Sequence, residues 1–218
     1  MIVTIDGPAG AGKSSAAKAL AKRLGFEFLD TGATYRAVAL AALRAGIDPG
    51  DEAALAKLVA GLHIDMPPGG RVILNGEDVT SLIRTPEITA AASPIAASRA
   101  VRERLVELQR AIAAGRDMVC EGRDQGTVVF PDAARKFFLV ADPAERARRR
   151  WRELQARGEA VTLDQVQRDQ EARDRRDAGR DISPMRPAAD AIRIDSTHLT
   201  LDQVVERMEQ EVRRWAPG

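Results

Sequence analysis

The sequence predicts an α/β fold built on a five-stranded parallel sheet, and three observations carry that reading. Five short apolar runs, Ile2 to Ile5, Glu27 to Leu29, Met118 to Cys120, Lys136 to Ala141 and Ala191 to Ile194, alternate with longer helical patterns. Strands separated by helices pair side by side and parallel, because a crossover helix returns the chain to the same end of the sheet. The first run also opens straight into Gly7-Pro8-Ala9-Gly10-Ala11-Gly12-Lys13-Ser14 and then a helix-forming stretch to Leu24.

Taken in order, the helices are expected at Ser14 to Leu24, Thr34 to Ala45, Glu52 to Leu62, Val101 to Ala114, Pro143 to Arg157, Leu163 to Asp174 and Leu201 to Trp215. The last presents Leu201, Val204, Val205, Met208 and Val212 at helical spacing, a single apolar face. Two segments break the alternation. Between His63 and Ile83 the pattern shortens to extended pieces, Leu62 to Met66 and Val72 to Leu74, with Pro67-Pro68-Gly69-Gly70 and Asn75-Gly76 as turns, which predicts a small antiparallel β insert. From Glu145 to Arg180 the chain is dense in arginine, with Gly158 and Gly179 as hinges; most of these arginines read as a solvated helical surface.

The glycine-rich loop between the first strand and first helix has the chemistry of a P-loop. Glycine frees the backbone N–H groups to point inward and cradle phosphates, Lys13 reaches the β- and γ-phosphates, and the Ser14 hydroxyl is placed to ligate Mg²⁺. Gly7, Pro8, Ala9, Gly10, Ala11, Gly12, Lys13 and Ser14 are therefore the candidate triphosphate site, within a P-loop NTP hydrolase-like fold. Lys13 is expected to face solvent when no phosphate is bound.

Composition narrows the partners. A chain of 218 residues is long enough for one well-buried domain and short for two ordinary ones. Lys and Arg number 33 against 32 Asp and Glu, so no whole-molecule field attracts nucleic acid or a membrane surface, and neither is expected as a partner. The N-terminus lacks a basic region ahead of an apolar stretch, so no signal peptide or span is read there, and a cytoplasmic protein is expected. Cys120, the single cysteine, lies in an apolar run and reads as a buried reduced thiol rather than a nucleophile.

A P-loop specifies a triphosphate and leaves the reaction open. Neither an Asn-Lys-x-Asp base-reading motif nor an Asp-x-x-Gly γ-phosphate sensor is present, which argues against a guanine-nucleotide switch, and Met118-Val119-Cys120-Glu121 is only a loose match to the acidic strand of a motor ATPase. Polar clusters instead fall where strands end, as ligand sites do in open α/β sheets. They are Asp30-Thr31-Gly32-Ala33-Thr34-Tyr35-Arg36, the run from Glu121 through Gly122-Arg123-Asp124-Gln125-Gly126-Thr127 to Phe130, and Arg173 through Asp177 to Arg180. With these strings the chain resembles, essentially end to end, the bacterial-type cytidylate kinases, a branch of the nucleoside monophosphate kinases.

That resemblance implies a phosphotransferase with a phosphate group as acceptor, moving the γ-phosphoryl group of ATP to CMP and dCMP in pyrimidine nucleotide metabolism. It implies a single kinase domain over 1–218: a core of 1–30, 115–142 and 181–218, a monophosphate-binding arm over 31–114 carrying the β insert at about 62–84, and an arginine-rich lid at about 143–180. Lys13, Arg123 and Arg180 take catalytic roles, and Ser15 and Arg149 join the P-loop residues in holding ATP with Mg²⁺. Thr31, Tyr35, Arg36, Ser93, Arg102, Arg123, Asp124, Arg173, Asp177 and Arg180 form the CMP set, with Arg36, Arg123 and Arg180 on the phosphate, Asp177 on the ribose, and Ser93, Arg102 and Asp124 reading cytosine. Glu121 and Ser15 stand where relatives often have Asp and Thr, with the chemistry kept. A monomer is expected.

The residue types make sense without the family. A carboxylate opposite the exocyclic amine of cytosine, with an arginine or hydroxyl opposite its acceptors, leaves uracil facing a repulsive carboxylate. The acceptor phosphate, with a second pKa of about 6, is already ionised near neutral pH and needs no general base. His63 and His198, the two histidines, accordingly lie outside the motifs and read as surface or structural residues. Arg146, Arg149 and Arg150 all stand where lid closure could bring them inward, and composition does not separate them. The competing readings are a P-loop kinase for another small acceptor and a non-catalytic nucleotide-binding regulatory module.

Overall fold

The computed structural model describes residues 1–180 and 182–215. Along the chain the elements are β1 (Ile2–Asp6), α1 (Lys13–Leu24), β2 (Glu27–Asp30), α2 (Thr31–Arg44), α3 (Glu52–Ala60), β3 (Ile64–Asp65), β4 (Ile73–Leu74), β5 (Glu77–Asp78), a 3₁₀ turn at Leu82–Arg84, α4 (Pro86–Ile95) and α5 (Arg99–Ala113). They continue with β6 (Met118–Glu121), a π-helix at Gln125–Val129, β7 (Arg135–Val140), α6 (Pro143–Ala156), α7 (Leu163–Ala178), β8 (Ile192–Asp195) and α8 (Leu201–Arg213). The five-stranded parallel sheet has the order β2-β6-β1-β7-β8. The chain forms two compact units, Met1–Phe26 with Asp117–Gly218, and Glu27–Arg116.

In the first unit β1 is central, pairing parallel with β6 from Ile2 opposite Met118 and with β7 from Val3 opposite Arg135. A strand covered on both faces is a near-continuous apolar run, and Val3, Ile5, Val119 and Leu139 are indeed all but sealed from solvent. Helix α1 packs on α8, whose Val204, Val205, Met208 and Val212 are buried as the periodicity predicted. Leu201 departs from that face: it is the first residue of α8, held at the end by the Thr200–Gln203 capping box, and stays 46% exposed. Cys120 is buried, and burial pushes its thiol up to about 12, so it stays an inert thiol as expected. No helix among the described residues is long and apolar enough to cross a membrane.

In the second unit α2 packs on α4 and α3 on α5, around Val38, Leu55, Ile83, Ile95 and Leu105. The β insert is an antiparallel sheet of order β3-β4-β5. Its Asn75-Gly76 turn has both residues at positive φ, 49° and 87°, the two-residue hairpin geometry that this dipeptide favours. Two predicted helix ends move by three residues or more, and one helix is new. Helix α2 begins at Thr31 rather than Thr34, because the Asp30 carboxylate accepts the Ala33 N–H at 3.0 Å and caps it. Helix α7 runs on to Ala178 rather than ending at Asp174. Helix α4 was not expected at all; Thr85 caps it and Pro86 occupies its first turn, where a missing N–H costs nothing.

Candidate active site

The P-loop geometry is set by what its glycines must avoid. A Cβ at Gly7 would sit 2.0 Å from the Leu139 carbonyl oxygen, so only glycine lets the chain leave β1 against β7. Gly12 caps α1 at φ 90°, in the left-handed region, and the helix starts at Lys13. Lys13 itself corrects the expectation of a solvent-facing side chain: it is 5% exposed and its ammonium donates to the Pro8 carbonyl at 2.8 Å. The loop curls over its own lysine and supplies the acceptor that burial demands. Burial, then the positive charges of Arg123 and Arg173, pull the Lys13 ammonium down to about 7 against the opposing pull of Glu121 and Asp6.

The Ser14 hydroxyl donates to Glu121 Oε1 at 2.6 Å. No cluster of three or more His, Cys, Asp or Glu suited to a metal occurs among the described residues. A serine hydroxyl beside one carboxylate is nevertheless a hard-oxygen donor set of the kind Mg²⁺ uses when substrate phosphates and water complete its shell. Ser15 is the third residue of α1 and is exposed.

The three α6 arginines that the sequence left together, Arg146, Arg149 and Arg150, are separated. Arg146 is buried, donating to the Ala141 carbonyl at 3.1 Å, to the P-loop Ala9 carbonyl at 2.9 Å and to Asp174 at 2.5 Å, while Asp174 also accepts the Ala9 N–H at 3.3 Å. Arg149 reaches the loop after β8, donating to the Ser196 carbonyl at 2.7 Å and the Ser196 hydroxyl at 3.1 Å. Arg150 pairs with Glu153, three residues along the same helix.

Three arginines that the sequence reading placed at the acceptor converge on one carboxylate. Asp177 is buried in α7 and accepts Arg123 Nε at 3.0 Å and Arg180 at 2.5 Å, with Arg173 at 4.0 Å. Burial alone would raise the Asp177 carboxyl, but the charges of Arg123, Arg180 and Arg173 outweigh it and hold the group below the usual carboxylate range. Three guanidinium groups against one carboxylate leave that set of four side chains with a net positive charge. Asp124 is 3% exposed and immediately precedes the π-helix.

In the second unit Arg36 pairs with Asp30 at 2.8 Å, so the residue that caps α2 also orients the arginine six residues on. The Arg102 guanidinium lies over the Tyr35 ring, 5.6 Å from its centroid, and donates to the Ala96 carbonyl at 3.1 Å. Thr31 is buried in the first turn of α2. Ser93 is buried on α4 with its hydroxyl lacking a hydrogen-bond partner among the described residues, an uncommon arrangement for a residue that merely packs. A cavity of about 320 Å³ in this unit, lined by Val38, Leu62, His63, Asp65 and Arg104 among others, includes none of these residues.

The structure thus corrects one part of the sequence reading: Thr31 to Arg36 and Arg173 to Asp177 lie on helices, not in strand-end loops. Sequence reasoning also missed the pairings of Arg146 with Asp174 and of Ser14 with Glu121. The first is signalled only by buried charge on α6, the second by an acidic residue closing an apolar strand.

The family model described as cytidylate kinase matches residues 3–214. The cytidylate kinase of Citrifermentans bemidjiense is 54% identical over 222 residues, covering 100% of this chain and 95% of the relative. That of Geobacter sulfurreducens is 52% identical, covering 100% and 96%, and that of Vibrio cholerae 49% identical, covering 97% and 95%. Among solved structures, an uncharacterized protein from Eubacterium ventriosum aligns with TM-score 0.54 at 12% identity over 98% of this chain and 99% of that one. TT1252 from Thermus thermophilus aligns with TM-score 0.50 at 18% identity over 100% and 98%, and both structural likenesses speak to the fold alone.

Proposed function

The chain belongs to the cytidylate kinase family, and from that premise we propose which of its residues carry out the transfer of the γ-phosphoryl group of ATP to CMP. The observation that carries the assignment is the convergence of Arg123, Arg180 and Arg173 on Asp177, with Lys13 close enough that two of those arginines depress its ammonium. Two highly charged phosphates repel, and the reaction needs that repulsion cancelled and the incoming oxygen aligned with the departing ADP. The P-loop N–H groups and Lys13 hold the donor, while Arg36, Arg123 and Arg180 take the acceptor phosphate. Asp177 is shared between ordering those arginines and meeting the ribose hydroxyls.

The acceptor oxygen is ionised near neutral pH, so no side chain has to remove a proton from it. Ser14, oriented by Glu121, would hold Mg²⁺ together with the ATP phosphates. The charge screening that such an ion supplies to transferring phosphates would then fall beside Lys13. Arg149, tied to Ser196, marks the donor-base side of the lid, and Arg146, tied to Ala9 and Asp174, the phosphate side. Tyr35 and Thr31 shape the arm, and Ser93, Arg102 and Asp124 read cytosine. The orphaned Ser93 hydroxyl supports that reading, since a base would supply the partner it lacks. The same site takes dCMP, and the enzyme works as a cytoplasmic monomer without nucleic-acid or membrane partners.

A coupled assay of ADP release tests this with CMP, UMP, AMP and no acceptor; comparable turnover with all of them would defeat the assignment. Asp124→Ala is expected to lower kcat/KM for CMP about 10- to 100-fold and for UMP far less, the size of a hydrogen bond to a charged group. Arg180→Met is expected to lower kcat about 100-fold with the KM for ATP within a few fold. If only a KM changed, Arg180 would be a binding group and not a transition-state clamp.

A further inference from the structure

The last residue of β1, Asp6, has no part in the assignments above, yet it is a buried carboxylate with both oxygens engaged, directly before the P-loop. It is 4% exposed, and its two oxygens each accept a backbone N–H of the segment after Asp124: Gln125 N to Oδ1 at 2.9 Å and Gly126 N to Oδ2 at 2.8 Å. The first of those N–H groups belongs to the peptide plane that begins at the Asp124 carbonyl. That plane cannot turn without breaking the bond, so ψ of Asp124, 23°, is held from across the sheet. On its other side the Asp124 carbonyl accepts the Val128 N–H at 2.9 Å and, closing the π-turn, the Val129 N–H at 3.3 Å. Asp6 is also followed directly by Gly7, which has no room to shift against Leu139.

We propose that Asp6 is a positioning residue that orients Asp124 toward the acceptor base and fixes its register relative to the P-loop. The inference rests on the assignment of Asp124 as base reader and adds what aims it. One side chain joins the strand that carries the donor loop to the backbone that carries the acceptor's specificity. Only a carboxylate can do this, since both contacts need an acceptor and an amide would turn an N–H₂ toward one of them.

The choice of residue carries a cost in stability that supports a functional role. Burial raises the Asp6 carboxyl to about 6, against the two N–H bonds that lower it; Asp124 pushes it further up, Lys13 pulls it down, and Asp6 in turn helps raise the Cys120 thiol. A carboxyl raised on folding adds stability only below its unfolded value and loses it as pH rises through 6. At neutral pH the ionised group is therefore kept at the fold's expense.

In the full-length enzyme, Asp6→Asn is expected to lower kcat/KM for CMP about 10- to 30-fold, to change that for UMP by less than about threefold, and to leave the thermal midpoint no lower than wild type. On an Asp124→Ala background the same substitution is expected to add less than about twofold for CMP, because its effect passes through Asp124. Gly126→Ala is the second variant: its Cβ would meet Thr4 Oγ1 at 3.0 Å and Lys136 Cδ at 3.2 Å, pushing the Gly126 N–H off Asp6 with the same loss of CMP selectivity. Equal losses for CMP and UMP in both single variants, or additive losses in the double variant, overturn the inference. If Asp124→Ala is selective and Asp6→Asn is not, the positioning role alone fails. If Asp124→Ala itself weakens both nucleotides equally, the base-reading assignment fails and this inference with it.

Discussion

Lys13→Met is expected to lower kcat at least about 1,000-fold while the folded state survives, the scale of losing a preorganised charge at a transferring phosphoryl group. Methionine is the informative replacement because Lys13 is not a free surface chain: its stem is buried and its ammonium donates to Pro8 at 2.8 Å. Methionine fills that channel with an unbranched apolar chain and removes only the charge, whereas alanine would also open a void under the loop. The lost bond to Pro8 is offset by relief of an ammonium that burial and two nearby arginines already disfavour. The thermal midpoint is therefore expected within a few degrees of wild type, and CMP affinity by calorimetry within a few fold. A kcat within tenfold of wild type, in protein whose melting curve is unchanged, would show that Lys13 does not act on the transferred phosphate.

The burial of that lysine marks the boundary between what the sequence reveals and what only three dimensions reveal. Strand β1, the P-loop and the apolar face of α8 were legible because each is a local pattern: an apolar run, a fixed spacing of glycines, a period of 3.6. The Asn75-Gly76 hairpin was legible because both residues tolerate positive φ. Helix α4 was hidden by Pro86 and Pro94, which read as breakers until Thr85 is seen to cap the first turn. The start of α2 was hidden because Asp30-Thr31-Gly32 looks like a turn, and only the Asp30 cap reveals it as a helix entrance.

The site shows the same division. The arginines were found as types at motif positions, but their common partner was not, because α7 was ended at Asp174. Carried on to Ala178, the helix puts Arg173 one turn from Asp177 and lets Arg180 turn back upon it. Asp6 was passed over for a related reason: its partners, Gln125 and Gly126, are more than a hundred residues away and are engaged through backbone N–H groups that no residue type announces.

Asp177→Asn is the other large effect, and it falls on stability. The carboxylate is 2% exposed and neutralises Arg123 and Arg180, themselves 18% and 9% exposed at the side chain. Removing one partner of a buried ion pair leaves the other charge uncompensated, at a cost of about 3 kcal/mol, whereas the more exposed Arg173 at 4.0 Å adds little. The sign of the pH dependence follows from the lowered carboxyl. A carboxylate depressed on folding stabilises above its unfolded value, about 3.9, and loses that contribution as pH falls through the folded value. The gap between wild type and Asp177→Asn in urea denaturation is therefore expected to be flat from about pH 5 to 8 and to narrow as pH falls below the unfolded value, about 3.9. Because Arg123, Arg180 and Arg173 keep their positive charge when Asp177 is lost, sulfate is expected to narrow the gap at neutral pH by binding the variant more tightly than wild type. A gap below about 1 kcal/mol at pH 7 would mean that the three arginines are solvated rather than anchored. One that sulfate leaves untouched would mean that they no longer converge once Asp177 is gone.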